Sequence, residues 1–170
     1  MTPASRTSKL ELRRGIVGYL GEVLSFYRAV QRAPTLELAS DVLAQLLHQA
    51  IADASTLHEY TGKFAAMLPE HVRTSPECEA LTERTAVVRE WLVGQLRDFE
   101  AAEDDATYGN CVAHFCGAVA SQLTLCHGIA VAERGLAELA DMADDGEASE
   151  TEESTDQEDY SSDSESAEAT

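Results

Sequence analysis

The stretch TYGNCVAHFCGAVASQLTLCHGIAVA, residues 107–132, decides the fold class. Val112, Phe115, Val119, Leu123, Cys126 and Ile129 recur in it with the repeat of side chains that share one helix face. The segment is apolar around most of its circumference, which is what a central helix surrounded by others requires. The pattern continues to about Met142, with His127-Gly128 expected to divide the helix and Gly135 to loosen its later part.

Working outward, three more helical segments precede it, and strand alternation is nearly absent. Leu81, Val88, Leu92 and Phe99 fall at heptad intervals, and Val87, Trp91 and Leu96 widen that face. Ser75-Pro76 supplies this segment with a cap and a first-turn proline, and residues 100–105 form an acidic connector after it. Further upstream, Leu36, Leu43, Leu46, Leu47, Ala50, Ile51, Ala54, Leu57, Phe64 and Leu68 repeat between Pro34 and Pro69. That run is long for one globular helix, so a kink or split is expected near residues 53–55. The first helix is expected over residues 8–30, with Ile16, Leu20, Val23, Tyr27 and Val30 as its stripe and Ser8 with Glu11 as a capping box. Gly15, Gly18 and Gly21 set small residues along one strip of it, a pattern that suits close helix packing.

Charge separates this bundle from the C-terminal segment. The net charge is −19, yet residues 141–170 hold 13 acidic groups and no Lys or Arg. The first 140 residues carry 18 acidic and 12 basic groups, a net of −6. The organisation expected is therefore a flexible N-terminus (1–7), an all-α bundle domain (8–143) and a disordered acidic tail (144–170), the last too poor in apolar residues to offset its ordering entropy. Ser149, Thr155 and Ser162 each have Glu three positions later, so acid-directed kinases could modify the tail. Nucleic acid is disfavoured as a partner, because a phosphate-binding surface needs clustered Lys and Arg. No signal peptide is visible and no stretch approaches the roughly 18 apolar residues of a membrane span. Residues 111–132 come nearest, interrupted by His114, Ser121, Gln122, Thr124 and His127. A cytosolic or nuclear compartment fits.

Two chemical constellations could carry a reaction or a metal. Cys111, His114 and Cys116, with Cys126-His127 beyond, could suggest zinc. On a helix, however, Cys111 and Cys116 point about 140° apart, so packing is the better reading and neither metal nor cofactor is expected. Cys116 with His58 or His127 could form a nucleophilic pair, but no Gly-rich elbow or oxyanion loop accompanies them. The chain is expected to bind another protein rather than to be an enzyme.

Residues 104–115, DDATYGNCVAHF, resemble the first homology motif of the Bcl-2 family of apoptosis regulators. In that family a polar turn leads into Asn-Trp-Gly-Arg and then an apolar central helix. Here Tyr108 stands for the Trp, Gly109 matches the Gly, and Val112, Ala113 and Phe115 match the apolar run. The match covers about a dozen residues, and residues 10–140 only by helix order. Asn110 replaces the family's Arg, and neither the later Trp-containing motif nor the C-terminal anchor is present, departures that resemble divergent viral, particularly poxviral, members.

The resemblance implies a Bcl-2-like bundle in which the second, third and fourth segments frame a groove for an amphipathic death-motif helix of a host pro-apoptotic protein. Leu57, Tyr60, Phe64, Val88, Trp91, Leu92, Phe99, Tyr108, Gly109, Asn110 and Val112 would line it, and a side chain at Gly109 would block the ligand backbone. Inhibition of host apoptosis would be the outcome. The alternative that it implies is an adaptor-type inhibitor of innate immune (NF-kappa-B) signalling, or a homodimer, acting through an outer helix face.

Overall fold

The computed structural model describes residues 8–32 and 40–152. They form α1 (Lys9–Arg32), α2 (Ser40–Ala66), the single turn α3 (Glu70–Arg73), α4 (Pro76–Ala101) and α5 (Asp105–Glu152). No strand occurs among the described residues.

Local chemistry starts each helix where the chain leaves a turn. The Ser8 hydroxyl accepts from the Glu11 N–H at 3.2 Å while the Glu11 carboxylate accepts from the Ser8 N–H at 2.8 Å, the reciprocal box expected there. Ser75 accepts from the Cys78 N–H at 3.3 Å, with Pro76 in the first turn. The Asp104 carboxylate accepts from the Thr107 N–H at 2.6 Å, and hydrogen bonds from the Thr107 side chain and then its backbone hold its carboxyl below the ordinary value. The turn α3, which the hydrophobic pattern does not announce, is closed by the Pro69 carbonyl accepting from Val72 and Arg73.

The four long helices stand in a ring. α1 packs on α2 and α5, and α4 packs on α2 and α5. Their directions alternate, as cross-helix pairs show: Gly15 lies against Tyr60, His58 bonds Thr85, Arg84 bonds the Gly128 carbonyl, and Lys9 pairs with Asp144. Leu12, Ile16, Leu20, Val23, Tyr27 and Val30 line the inner side of α1, opposite Leu43, Leu47, Leu57 and Phe64 of α2, Leu81, Val88 and Leu92 of α4 and Val112, Phe115, Val119, Cys126 and Ile129 of α5. Each such side chain contributes roughly 1.5–3 kcal/mol when fully buried, so the core carries the stability of this ring.

Several expectations are corrected. α5 is not a central helix: it is one of four members of the ring, and Ala113, Gly117, Ala120, Ser121, Thr124 and Val131 on its outer side are exposed. α2 runs unbroken through residues 53–55, and α5 runs unbroken through His127-Gly128 and Gly135. Arg84 donates to the Gly128 carbonyl at 3.0 Å, which ties that turn to α4. α5 also continues as helix over residues 144–152, where the disordered tail was expected to begin, while residues 1–7 and 153–170 lie outside the described residues. One helix, residues 105–145, is long and apolar enough by length and composition to cross a membrane, with a mean hydropathy of 1.5 over 18 residues, contrary to the sequence reading. Of the three close-packing glycines, only Gly15 faces a neighbour, the Tyr60 ring; Gly18 and Gly21 face open space.

Candidate functional site

The eleven residues expected to line a groove divide into two groups. Leu57, Phe64, Val88, Leu92 and Val112 are buried in the middle of the ring, and Tyr60, Trp91, Phe99 and Tyr108 are half-buried against it. Tyr60 meets Tyr19 edge-on at 5.6 Å, Trp91 stacks on Phe115, and Phe99 packs on Tyr108 at 5.5 Å. These nine side chains hold helices together. A groove along them would require α2 and α4 to separate. Gly109 and Asn110 are exposed, and a Cβ at Gly109 would meet nothing within 4 Å.

Asn110 of that set borders an open depression. A groove of about 370 Å³ lies where α4 ends and α5 begins, lined by Gln95, Asp98, Ala101, Ala102, Thr107, Asn110, Cys111 and His114. Its floor holds Gln95, which is 7% exposed and has no hydrogen-bond partner among the described residues. The Cys111 thiol donates to the Asp98 carbonyl at 3.7 Å across the helix junction. Sequence reasoning passed over Gln95, although its position seven residues after Val88 and fourteen after Leu81 puts an amide on a core stripe.

A second groove, about 550 Å³, runs along the α2–α4 seam past His58, Arg73, Cys78 and Glu83. His58 Nδ1 lies 3.0 Å from the Thr85 hydroxyl, and Arg73 donates to the Leu68 carbonyl at 3.2 Å, so both bases are engaged in joining elements.

The thiols and imidazoles stay apart. No group of three or more His, Cys, Asp or Glu able to hold a metal occurs among the described residues. Burial pushes the Cys116 thiol up, opposite to what a nucleophile requires, while His58 is bonded to Thr85 and His127 is exposed. Burial pushes Cys126 up to about 12. Of the tail sites, Ser149 falls on the last turns of α5, and Thr155 and Ser162 lie outside the described residues.

The outer side of α5 is a surface of one character. Residues 106–132 contain no Asp, Glu, Lys or Arg, a span of about 40 Å of helix. Gly109, Ala113, Gly117 and Ser121 succeed one another there at four-residue intervals, all exposed, with Asn110, His114 and His127 beside them. No protein-family model matches the chain, and no curated protein or solved structure matches it either.

Proposed function

We propose that this chain is a protein-binding module that docks on its partner through the outer face of α5. The observation that carries the reading is the solvent-facing stretch from residue 106 to 132, seven turns of helix without a charged side chain. Water-exposed helix faces ordinarily carry charge. Small residues at Gly109, Ala113, Gly117 and Ser121 leave a shallow track into which another helix can settle with close backbone approach. Of the two roles the family resemblance implies, this surface fits the adaptor-type inhibitor of host signalling, which works through a helix face. Capture of a death-motif helix draws no support from the geometry, because its lining is the interior of the ring.

Glu introduced at Ala113 or Gly117 tests the reading, since both positions are exposed and neither substitution reaches the core. Each variant is expected to melt like the wild type and to lose the partner, or the self-association, that the wild type shows by sedimentation and affinity capture. Partner binding equal to wild type in both variants would refute it.

A further inference from the structure

We infer that the groove at the α4–α5 junction is a binding pocket for a guanidinium group, an arginine side chain presented by the protein partner. Gln95 is the first reason. Its carboxamide sits on the core stripe of Leu81 and Val88, lines the groove, and meets no hydrogen-bond partner among the described residues. Although the side chain is nine-tenths buried, its amide atoms remain open to solvent, so a ligand seated in the groove can bond them without displacing any contact within the protein.

Charge is the second reason. The groove lies at the C-terminal end of α4, where free carbonyls favour a cation, and the last turn of α4 contains no basic residue. Asp98 lines the groove and is in no ion pair among the described residues. Glu100, Glu103, Asp104 and Asp105 are exposed on the connector beside it, and no Lys or Arg occurs from residue 98 to 133. The start of α5 is the opposite pole, but Asp104 and Asp105 already occupy it. Arg97 belongs to a different depression, shared with Arg89 and Glu90.

Shape selects the kind of cation. Gln95, Asp98, Thr107 and Asn110 bring four side chains with acceptor oxygens to the lining of a space of about 370 Å³, a number that suits the planar, five-donor guanidinium better than the single head of an ammonium. Ala101 and Ala102 give the aliphatic stem an apolar wall. The choice of a protein as the source rests on the reading of α5 as a contact face, since Asn110 and His114 border both; the pocket's chemistry stands on Gln95 and Asp98.

The test uses the full chain, isotopically labelled, and short uncharged glycine-serine peptides bearing one arginine, one lysine or one citrulline. The arginine peptide is expected to move the side-chain amide resonances of Gln95 and Asn110 saturably. Lysine should bind about tenfold more weakly, and citrulline not at all. Asp98→Asn should weaken the arginine peptide about tenfold, and Gln95→Leu should weaken it while remaining folded. Absence of these shifts at about 10 mM peptide, shifts confined to residues 141–170, or unchanged binding by Asp98→Asn would overturn the inference. Gly117→Glu separates the two readings. If it releases the partner while the arginine peptide leaves Gln95 unmoved, the pocket falls and the α5 face stands. If the peptide binds and Gly117→Glu changes no association, the pocket stands and the α5 face falls.

Discussion

Trp91 of α4 lies nearly parallel to Phe115 of α5, with ring centroids 5.2 Å apart and planes inclined by 16°. Tyr27 of α1 reaches Trp91 at 6.1 Å, and Phe26 and Phe99 each approach Phe115 at 6.0 Å, so one end of the ring is fastened by aromatic contacts from three helices. Truncating Trp91→Ala would remove the largest of these rings and is expected to cost about 3 kcal/mol, with Trp91→Phe costing much less. Urea unfolding monitored by far-ultraviolet circular dichroism measures both, and a loss below about 1 kcal/mol for the alanine variant would contradict the packing role.

Gln95→Leu should stabilise the chain by up to about 1 kcal/mol, because it puts an apolar side chain of similar length at a mostly buried position of an apolar stripe, where the amide has no bond within the described residues. Comparison of denaturation midpoints decides this. A destabilised leucine variant would mean that the amide is bonded in the free protein.

Two glycines of α1 should respond in opposite directions. A methyl at Gly15 would run into the Tyr60 ring, whereas one at Gly18 would meet nothing within 4 Å. Gly15→Ala is expected to cost about 1–3 kcal/mol and Gly18→Ala to add up to about 1 kcal/mol through helix propensity. Thermal melts of the two single variants read the contrast directly.

Thiol reactivity should order the cysteines. Burial raises the thiols of Cys78 and Cys116, and raises Cys126 to about 12. A raised value means less thiolate at any working pH, hence slower alkylation. Half-exposed Cys111 should react with iodoacetamide first at about pH 8, and Cys126 only when the ring opens, as read by peptide mass analysis against time.

The Asp104 cap adds an acid dependence. Its carboxyl is held below the ordinary value of 3.8, chiefly by the hydrogen bond with Thr107. Its contribution is therefore complete above that value and is lost as pH falls through the depressed folded-state value. Asp104→Asn keeps a capping oxygen but removes the titration, so melting temperature should fall less steeply on the acid side than in the wild type. The residue is fully exposed, and salt should reduce the difference between the two proteins.

Helix positions were legible wherever side-chain area and backbone capping agree. Ile16 to Val30, the Ser8–Glu11 box and the Ser75-Pro76 start all read directly, since each is a local rule with a local cause, whereas Leu12 joined that stripe only in the structure. The place of α5 was not legible, for a physical reason. Ala, Gly, Cys and Thr count as apolar or neutral in a periodicity, but Ala113, Gly117, Ala120 and Thr124 offer too little area to require burial, so the helix sits at the edge of the ring. The expected groove lining met the same limit: Leu57, Phe64, Val88 and Leu92 are buried, they have the spacing of any helix-to-helix seam, and spacing does not separate an interior seam from an open one. Gln95 shows the converse, a polar residue at a core position whose meaning emerges only when its neighbours are known to leave it unpaired.

The ring arrangement also bears on how the chain is made. α1 and α2, and likewise α4 and α5, are antiparallel neighbours in sequence and can pair as soon as each hairpin leaves the ribosome. The seam between α1 and α5 joins the two elements farthest apart, through Arg13 with Glu133 and Asp141 and through Lys9 with Asp144. Until α5 has been synthesised, Phe26 lacks Phe115 and Lys9 and Arg13 lack their acidic partners. During translation the chain is thus an open arc with one greasy flank, and its closure coincides with the emergence of α5.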